Sequence, residues 1–216
     1  MIRGIIFDMD GVLVDSKEMW VGVVHRTLQE AGIGINVEKV RQLIVPSVPL
    51  TIERLVPHDT PGRDQVVRSS IIRARQLCIQ ATAAQSRPVD GVAEALAALR
   101  SRGMRIFLVT NGVSAYVQKV LTVFSLSGFE RVISSDNGFA NKEAAIADIS
   151  AKTRIRLEEV AYVGDVAMDV EVARRSGCKS IIAWTRTSWE WPDRSKIDAA
   201  KPDTIVSSLA ELVKVI

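Results

Sequence analysis

Apolar residues fall along this chain in two rhythms, and the change between them divides it. Residues 3–7, Arg-Gly-Ile-Ile-Phe, make a short apolar run that predicts a buried strand. Trp20, Val23, Val24, Thr27, Leu28 and Ala31 then recur at helical spacing. Asp15 or Ser16 stands where that helix needs a cap, Glu18 lies at capping-box spacing from Asp15, and Gly32 and Gly34 stop the helix. Residues 35–62 show no period and carry Pro46, Pro49, Pro57 and Pro61, so they read as irregular. A long helix is predicted over 63–85, striped by Val67, Ile71, Ala74, Cys78 and Ala81. No strand pattern occurs between Asp15 and Arg87, and the region reads as a helical insertion.

After Pro88 the rhythm becomes an alternation of helix and strand. Helices are expected at 92–102, 114–124, 142–153, 167–176 and 209–215, and strands at 104–110, 131–134, 160–164, 180–184 and 204–206. Such alternation predicts the α/β class, a Rossmann-like, doubly wound parallel sheet with helices on both faces. The expected division is an α/β core from residues 1–16 and 88–216 and a small helical domain from 17–87.

The chain has 216 residues, enough for one full core and a modest second domain. Its 28 basic and 25 acidic residues leave a net charge of +3 with no run of five like charges, which gives no nucleic-acid signature. No apolar stretch approaches the ~18 residues of a membrane span, and the first apolar run is too short for a signal peptide. Cys78 and Cys178 share no disulfide or metal spacing and sit among apolar neighbours, so they read as reduced, buried thiols of a cytoplasmic protein.

The chemistry gathers where the predicted strands end. Asp8 and Asp10 leave the first strand two residues apart, and so start on one face. Two such carboxylates repel unless one is protonated or a cation lies between them, and magnesium suits an all-oxygen site. Thr110-Asn111-Gly112 ends the second core strand, Lys142 follows the third, and Gly164-Asp165 with Asp169 ends the fourth. In a doubly wound sheet those ends face one crevice. Carboxylates, an ammonium and a hydroxyl beside a helix N-terminus suit phosphoryl transfer, with Thr110 and the backbone amides after it holding phosphate oxygens.

This ordered set resembles the haloacid dehalogenase superfamily over essentially the whole chain, with the closest likeness to its phosphoglycolate phosphatase and β-phosphoglucomutase group. The DxDGxxxDS motif reads as Asp8 to Ser16, Thr110 and Lys142 match the second and third motifs, and GDxxxD reads as Gly164 to Asp169. The resemblance makes the insertion a cap over the crevice. It implies that Asp8 attacks phosphorus and forms an aspartyl-phosphate, while Asp10 protonates the leaving oxygen and then deprotonates water. It further implies that Asp8, the Asp10 carbonyl and Asp165 hold Mg²⁺, with Asp169 orienting that shell. Thr110, Asn111, Gly112 and Lys142 would bind the phosphate of a small phosphorylated metabolite, in a monomer or a homodimer.

The chain departs from the pattern in places. Asn141-Lys142-Glu143 stands where Gly-Lys-Pro is frequent, Trp20 takes the place of the mutases' histidine, and no Arg-Gly-x-Ser loop occurs at 44–50. A magnesium-dependent phosphatase is therefore expected. The alternatives are a phosphotransferase or mutase sharing the intermediate, and an inert binding protein on the same scaffold. Asp169 has a plainer reading as the first-turn acid of a helix, and Asp15 as a cap. Arg63, Arg68, Arg73 and Arg75 read as a solvated helix face, and Trp184, Trp189 and Trp191 as packing, a crevice border or a subunit contact.

Overall fold

The computed structural model describes residues 1–216. In chain order its elements are β1 (Gly4–Phe7), β2 (Val14–Asp15), α1 (Lys17–Glu30), α2 (Val37–Leu43), α3 (Val48–Leu55), α4 (Arg63–Gln85), β3 (Arg87–Pro88), α5 (Val92–Ser101) and β4 (Arg105–Val109). There follow α6 (Ser114–Val123), β5 (Arg131–Ile133), α7 (Lys142–Thr153), β6 (Val160–Gly164), α8 (Ala167–Ser176), β7 (Lys179–Ala183), α9 (Ser195–Ala200), β8 (Thr204–Val206) and α10 (Leu209–Val215). Six strands form one parallel sheet in the order β5-β4-β1-β6-β7-β8.

This order fixes where chemistry can occur. From β1 the chain runs outward through β4 and β5, then returns to the far side of β1 for β6 and beyond. The reversal opens a crevice at the C-terminal end of β1. Phe7 pairs with Leu108 on one side and Val163 on the other, so Asp8, Thr110 and Asp165 emerge at nearly one level. Every residue of β1 is buried, which requires the uninterrupted apolar run.

The helical insertion leaves and rejoins the core through two crossing segments that pair with each other. Val14 faces Pro88 and Asp15 faces Arg87 in an antiparallel ribbon, reinforced by an Arg87–Asp15 ion pair at 2.8 Å. One hydrophobic cluster of 39 buried residues runs from the sheet into α1 and α4, joining Leu108 and Val163 to Trp20, Val24, Leu77 and Cys78. A second cluster of 13 residues, including Ile6, Phe107, Ile149 and Tyr162, fills the other face of the sheet.

Three expectations need correction. Residues 35–62 are not irregular throughout, because they contain α2 and α3. Asn36 caps α2 through the Glu38 N–H, Ser47 caps α3 through the Leu50 N–H, and Pro49 lies in the first turn of α3. A proline there opens a helix instead of breaking one. The capping box at α1 does not form. Ser16 holds the cap position, yet its hydroxyl turns to the Asp10 carboxylate, and Glu18 pairs with Arg41 of α2. In the last part of the chain α9 stands where no helix is expected; it is only six residues long, under the length at which a period is legible.

Candidate active site

Asp8 leaves β1 with both carboxylate oxygens engaged. Its Oδ1 accepts the Met9 N–H at 2.8 Å, and its Oδ2 accepts Lys142 Nζ at 2.8 Å. Lys142 opens α7, where Asn141 caps the helix through the Ala144 N–H, and the Lys142 ammonium is nearly buried at 9% side-chain exposure. It also donates to Tyr162 Oη at 2.8 Å and Asp169 Oδ1 at 3.2 Å. Lys142 is thus the single cation among three buried carboxylates.

Asp169 is fully used as an acceptor. Its Oδ1 takes Lys142 and the Tyr162 hydroxyl, and its Oδ2 takes the backbone N–H groups of Asp165 at 3.0 Å and Val166 at 3.3 Å. It is therefore both the acid that satisfies the start of α8 and the clamp on Asp165. Gly164 makes this possible, since a Cβ there would fall on the Asp169 side chain. Gly11 plays the matching part at the other motif: it has φ of +81°, and a Cβ would fall on the Asp165 carboxylate. Asp165 Oδ2 accepts the Trp189 N–H at 2.6 Å, and its carbonyl accepts the Ser188 hydroxyl at 2.6 Å.

The electrostatics follow from burial. Desolvation pushes the Asp8 carboxyl up to about 6 despite the opposing pull of Lys142. Desolvation, reinforced by the charge of Asp169, also raises Asp165 well above the ordinary carboxylate range. For Lys142 desolvation acts downward, but the carboxylates of Asp169 and Asp8 outweigh it and hold the ammonium well above its ordinary range. The Asp8, Asp165 and Asp169 carboxylates each offer an oxygen within 4.8 Å of the others. Three buried carboxylates against one ammonium leave an uncompensated negative charge, and an all-oxygen donor set is what a hard divalent cation takes. The residues present therefore fit such an ion. Asp8 carries one donor on each oxygen and Asp165 none on Oδ1, whereas the acceptor positions of Asp169 are all taken.

Asp10 and Thr110 face a neighbouring cavity of about 160 Å³, also lined by Asp8, Trp20, Arg75, Asn111 and Trp189. Thr110 is buried, and its Oγ1 accepts the Gly112 N–H at 3.1 Å, so that amide is committed within the turn. The Asn111 amide reaches across to the insertion and donates to the Pro46 carbonyl at 2.9 Å. Lys17 Nζ donates to the Trp189 carbonyl at 2.6 Å, a second tie between insertion and core at the mouth.

Several residues here carry no legible sequence signal. Tyr162 and Tyr116 read as apolar positions of a strand and a helix. Ser16 reads as a cap. Arg63, Arg68, Arg73 and Arg75 are expected on a solvated face, and the first three pair within the insertion: Arg73 with Glu30, Arg63 with the Glu53 and Val56 carbonyls, and Arg68 with Gln65. Arg75 alone of the four lines the cavity. The tryptophans separate: Trp189 is buried at the cavity, whereas Trp191 is exposed and rests on Trp184 with ring centroids 5.2 Å apart.

Comparison with known proteins places this arrangement. The family described as haloacid dehalogenase-like hydrolase matches residues 5–183. Two curated relatives, both phosphoglycolate phosphatases, align end to end. The one from Aquifex aeolicus is 25% identical over 99% of this chain and 96% of its own. The one from Synechococcus elongatus is 28% identical over 100% and 97%. Among solved structures, a predicted phosphoglycolate phosphatase from Haemophilus somnus superposes with a TM-score of 0.82 at 21% identity, covering 99% of this chain and 97% of its own. CbbY from Rhodobacter sphaeroides, in complex with phosphate, superposes with a TM-score of 0.76 at 18% identity, covering 98% and 96%. These last two likenesses show the fold.

Proposed function

The chain belongs to the haloacid dehalogenase-like hydrolase family and is a phosphatase, and from that premise we propose that it hydrolyses a small phosphomonoester with Mg²⁺ through an aspartyl-phosphate on Asp8. The observation that carries this reading is the Asp8 carboxylate itself. It is buried at the crevice, fixed by Lys142, and shares a small cavity with Asp10 and Thr110.

Asp8 Oδ attacks phosphorus as the bond to the leaving oxygen breaks. Asp10 gives that oxygen its proton, then takes one from the water that attacks the aspartyl-phosphate. Lys142 and the Thr110 hydroxyl hold phosphoryl oxygens, while the N–H groups of Gly112 and Ser114 at the start of α6 are already given to Thr110 Oγ1 and Asp136 Oδ1. Asp8, the Asp10 carbonyl and Asp165 would hold the magnesium ion, and Asp169 keeps Asp165 in place. When bound, the ion supplies charge that lets an anionic nucleophile meet an anionic ester.

Substrate size follows from the cavity. A space of about 160 Å³ lies below the 300–1,000 Å³ (approximate range) usual for drug-sized ligands. Arg75 brings a positive charge to its cap side, so a short phosphomonoester with a second anionic group fits, as the names of the curated relatives suggest. The deciding experiment is phosphate release from a panel of small phosphomonoesters, phosphoglycolate included, with magnesium and with excess chelator. Turnover should require the metal, and Asp8→Asn should abolish it in a folded protein. Full activity in chelator, or wild-type turnover by Asp8→Asn, overturns the mechanism.

A further inference from the structure

The Asp10 carboxylate is held by one oxygen only. Its Oδ1 accepts Ser16 Oγ at 2.5 Å, Tyr116 Oη at 2.7 Å and Trp20 Nε1 at 3.4 Å, while no donor contacts its Oδ2. The three donors come from three places. Ser16 stands at the root of the insertion, Trp20 on α1 within it, and Tyr116 on α6 of the core. Tyr116 is fully buried and Trp20 nearly so, and their rings meet edge to face with centroids 5.2 Å apart. The tyrosine hydroxyl is therefore aimed by packing as well as by its hydrogen bond.

A carboxylate oxygen offers about two lone-pair sites. Three donors saturate Oδ1, so a proton bound there would have to displace one of them. We propose that Ser16, Tyr116 and Trp20 are positioning residues that reserve Oδ1 as the carbonyl-like oxygen of Asp10 and leave Oδ2 as the atom that gives and takes the catalytic proton. The proposal rests on the phosphatase reading and deepens it. In the first half-reaction the bond from phosphorus to the leaving oxygen breaks, that oxygen takes the proton from Oδ2, and the new carboxylate charge falls on an oxygen already facing three donors. In the second half, Oδ2 takes a proton from the attacking water and Asp10 is restored. Because Trp20 belongs to the insertion, this arrangement is complete only with the insertion seated on the core.

The prediction concerns the leaving group. An alkoxide needs the proton, whereas a nitrophenolate departs with little help. The value of kcat/KM reports steps through cleavage of the ester and so isolates the acid role of Asp10. Tyr116→Phe is nearly isosteric in its buried pocket, and Trp20→Phe keeps the ring contact while removing the N–H. Each should lower kcat/KM for an alkyl phosphate at least tenfold more than for p-nitrophenyl phosphate. Against an Asp10→Asn background, Tyr116→Phe should add less than about twofold. Equal losses on the two esters, or a full further loss in the Asp10→Asn background, would overturn the positioning role. A wild-type enzyme that cleaves neither ester would instead overturn the phosphatase reading itself.

Discussion

Replacing Lys142 tests the charge arrangement directly. Lys142→Met keeps most of the aliphatic stem and removes the ammonium that bridges Asp8 at 2.8 Å and Asp169 at 3.2 Å. At an effective dielectric of about 20 those separations correspond to gross attractions of about 6 and 5 kcal/mol. Much of this is offset by the several kcal/mol needed to desolvate the ammonium, so the expected net loss on breaking the buried network is about 3–5 kcal/mol. The pH dependence sharpens the test. The folded-state pKa of Asp8 lies at about 6 against an ordinary 3.8, so the folded chain binds more protons than the unfolded chain in that window. That contribution to stability is fully present below the unfolded value and is lost as pH rises through about 6, at a cost of about 3 kcal/mol. Without the ammonium the folded value climbs further, and the loss extends above neutrality. Equilibrium urea unfolding of the metal-free proteins between pH 5 and 8 measures both quantities. The gap between wild type and variant should widen with pH. A gap under about 1 kcal/mol, or one that does not change across that range, would refute the reasoning.

Two further changes probe the parts around that network. Gly164→Ala forces a Cβ into the Asp169 side chain and should cost about 1–3 kcal/mol while displacing Asp165, seen as a lower unfolding midpoint and weakened magnesium binding by calorimetry. Arg75→Met should raise KM for phosphoglycolate by about tenfold and leave KM for ethyl phosphate nearly unchanged, because only the former has a second anionic group; equal KM effects on both would remove Arg75 from substrate selection.

Much of the architecture is legible in the sequence because the sheet is buried on both faces. Such strands must be short apolar runs, and Gly4–Phe7, Arg105–Val109 and Val160–Gly164 announce themselves that way. The long helix Arg63–Gln85 is legible from its length alone, although its stripe is imperfect: Leu77 and Thr82 are buried, whereas Val67 and Ile71 are only partly so. The helices at Val37–Leu43 and Val48–Leu55 are hidden because two turns cannot display a period and because prolines mark helix starts as well as breaks. The motif acids are conspicuous because polar residues at the end of an apolar run need a reason. Tyr116 and Tyr162 are not, since a tyrosine serves a core equally well, and only contact across 106 and 20 positions of chain shows their hydroxyls reaching Asp10 and Lys142.

The same contacts explain why an acid-rich crevice folds at all. Asp8, Asp165 and Asp169 are each at most 5% exposed, and burying unpaired carboxylates costs several kcal/mol apiece. The chain meets this in different ways at each acid. Asp169 spends its four acceptor positions on an ammonium, a phenol and two backbone N–H groups, so its charge is satisfied entirely from within. Asp10 is half-buried and concentrates its donors on a single oxygen. Asp8 and Asp165 receive fewer donors, and burial raises both carboxyls, as it does that of Asp10. Charge left incompletely satisfied in a buried crevice is destabilising, and a cation bound there would offset that cost. Asp169, the acid with every acceptor position filled, is therefore the one that positions another, by holding the Asp165 backbone.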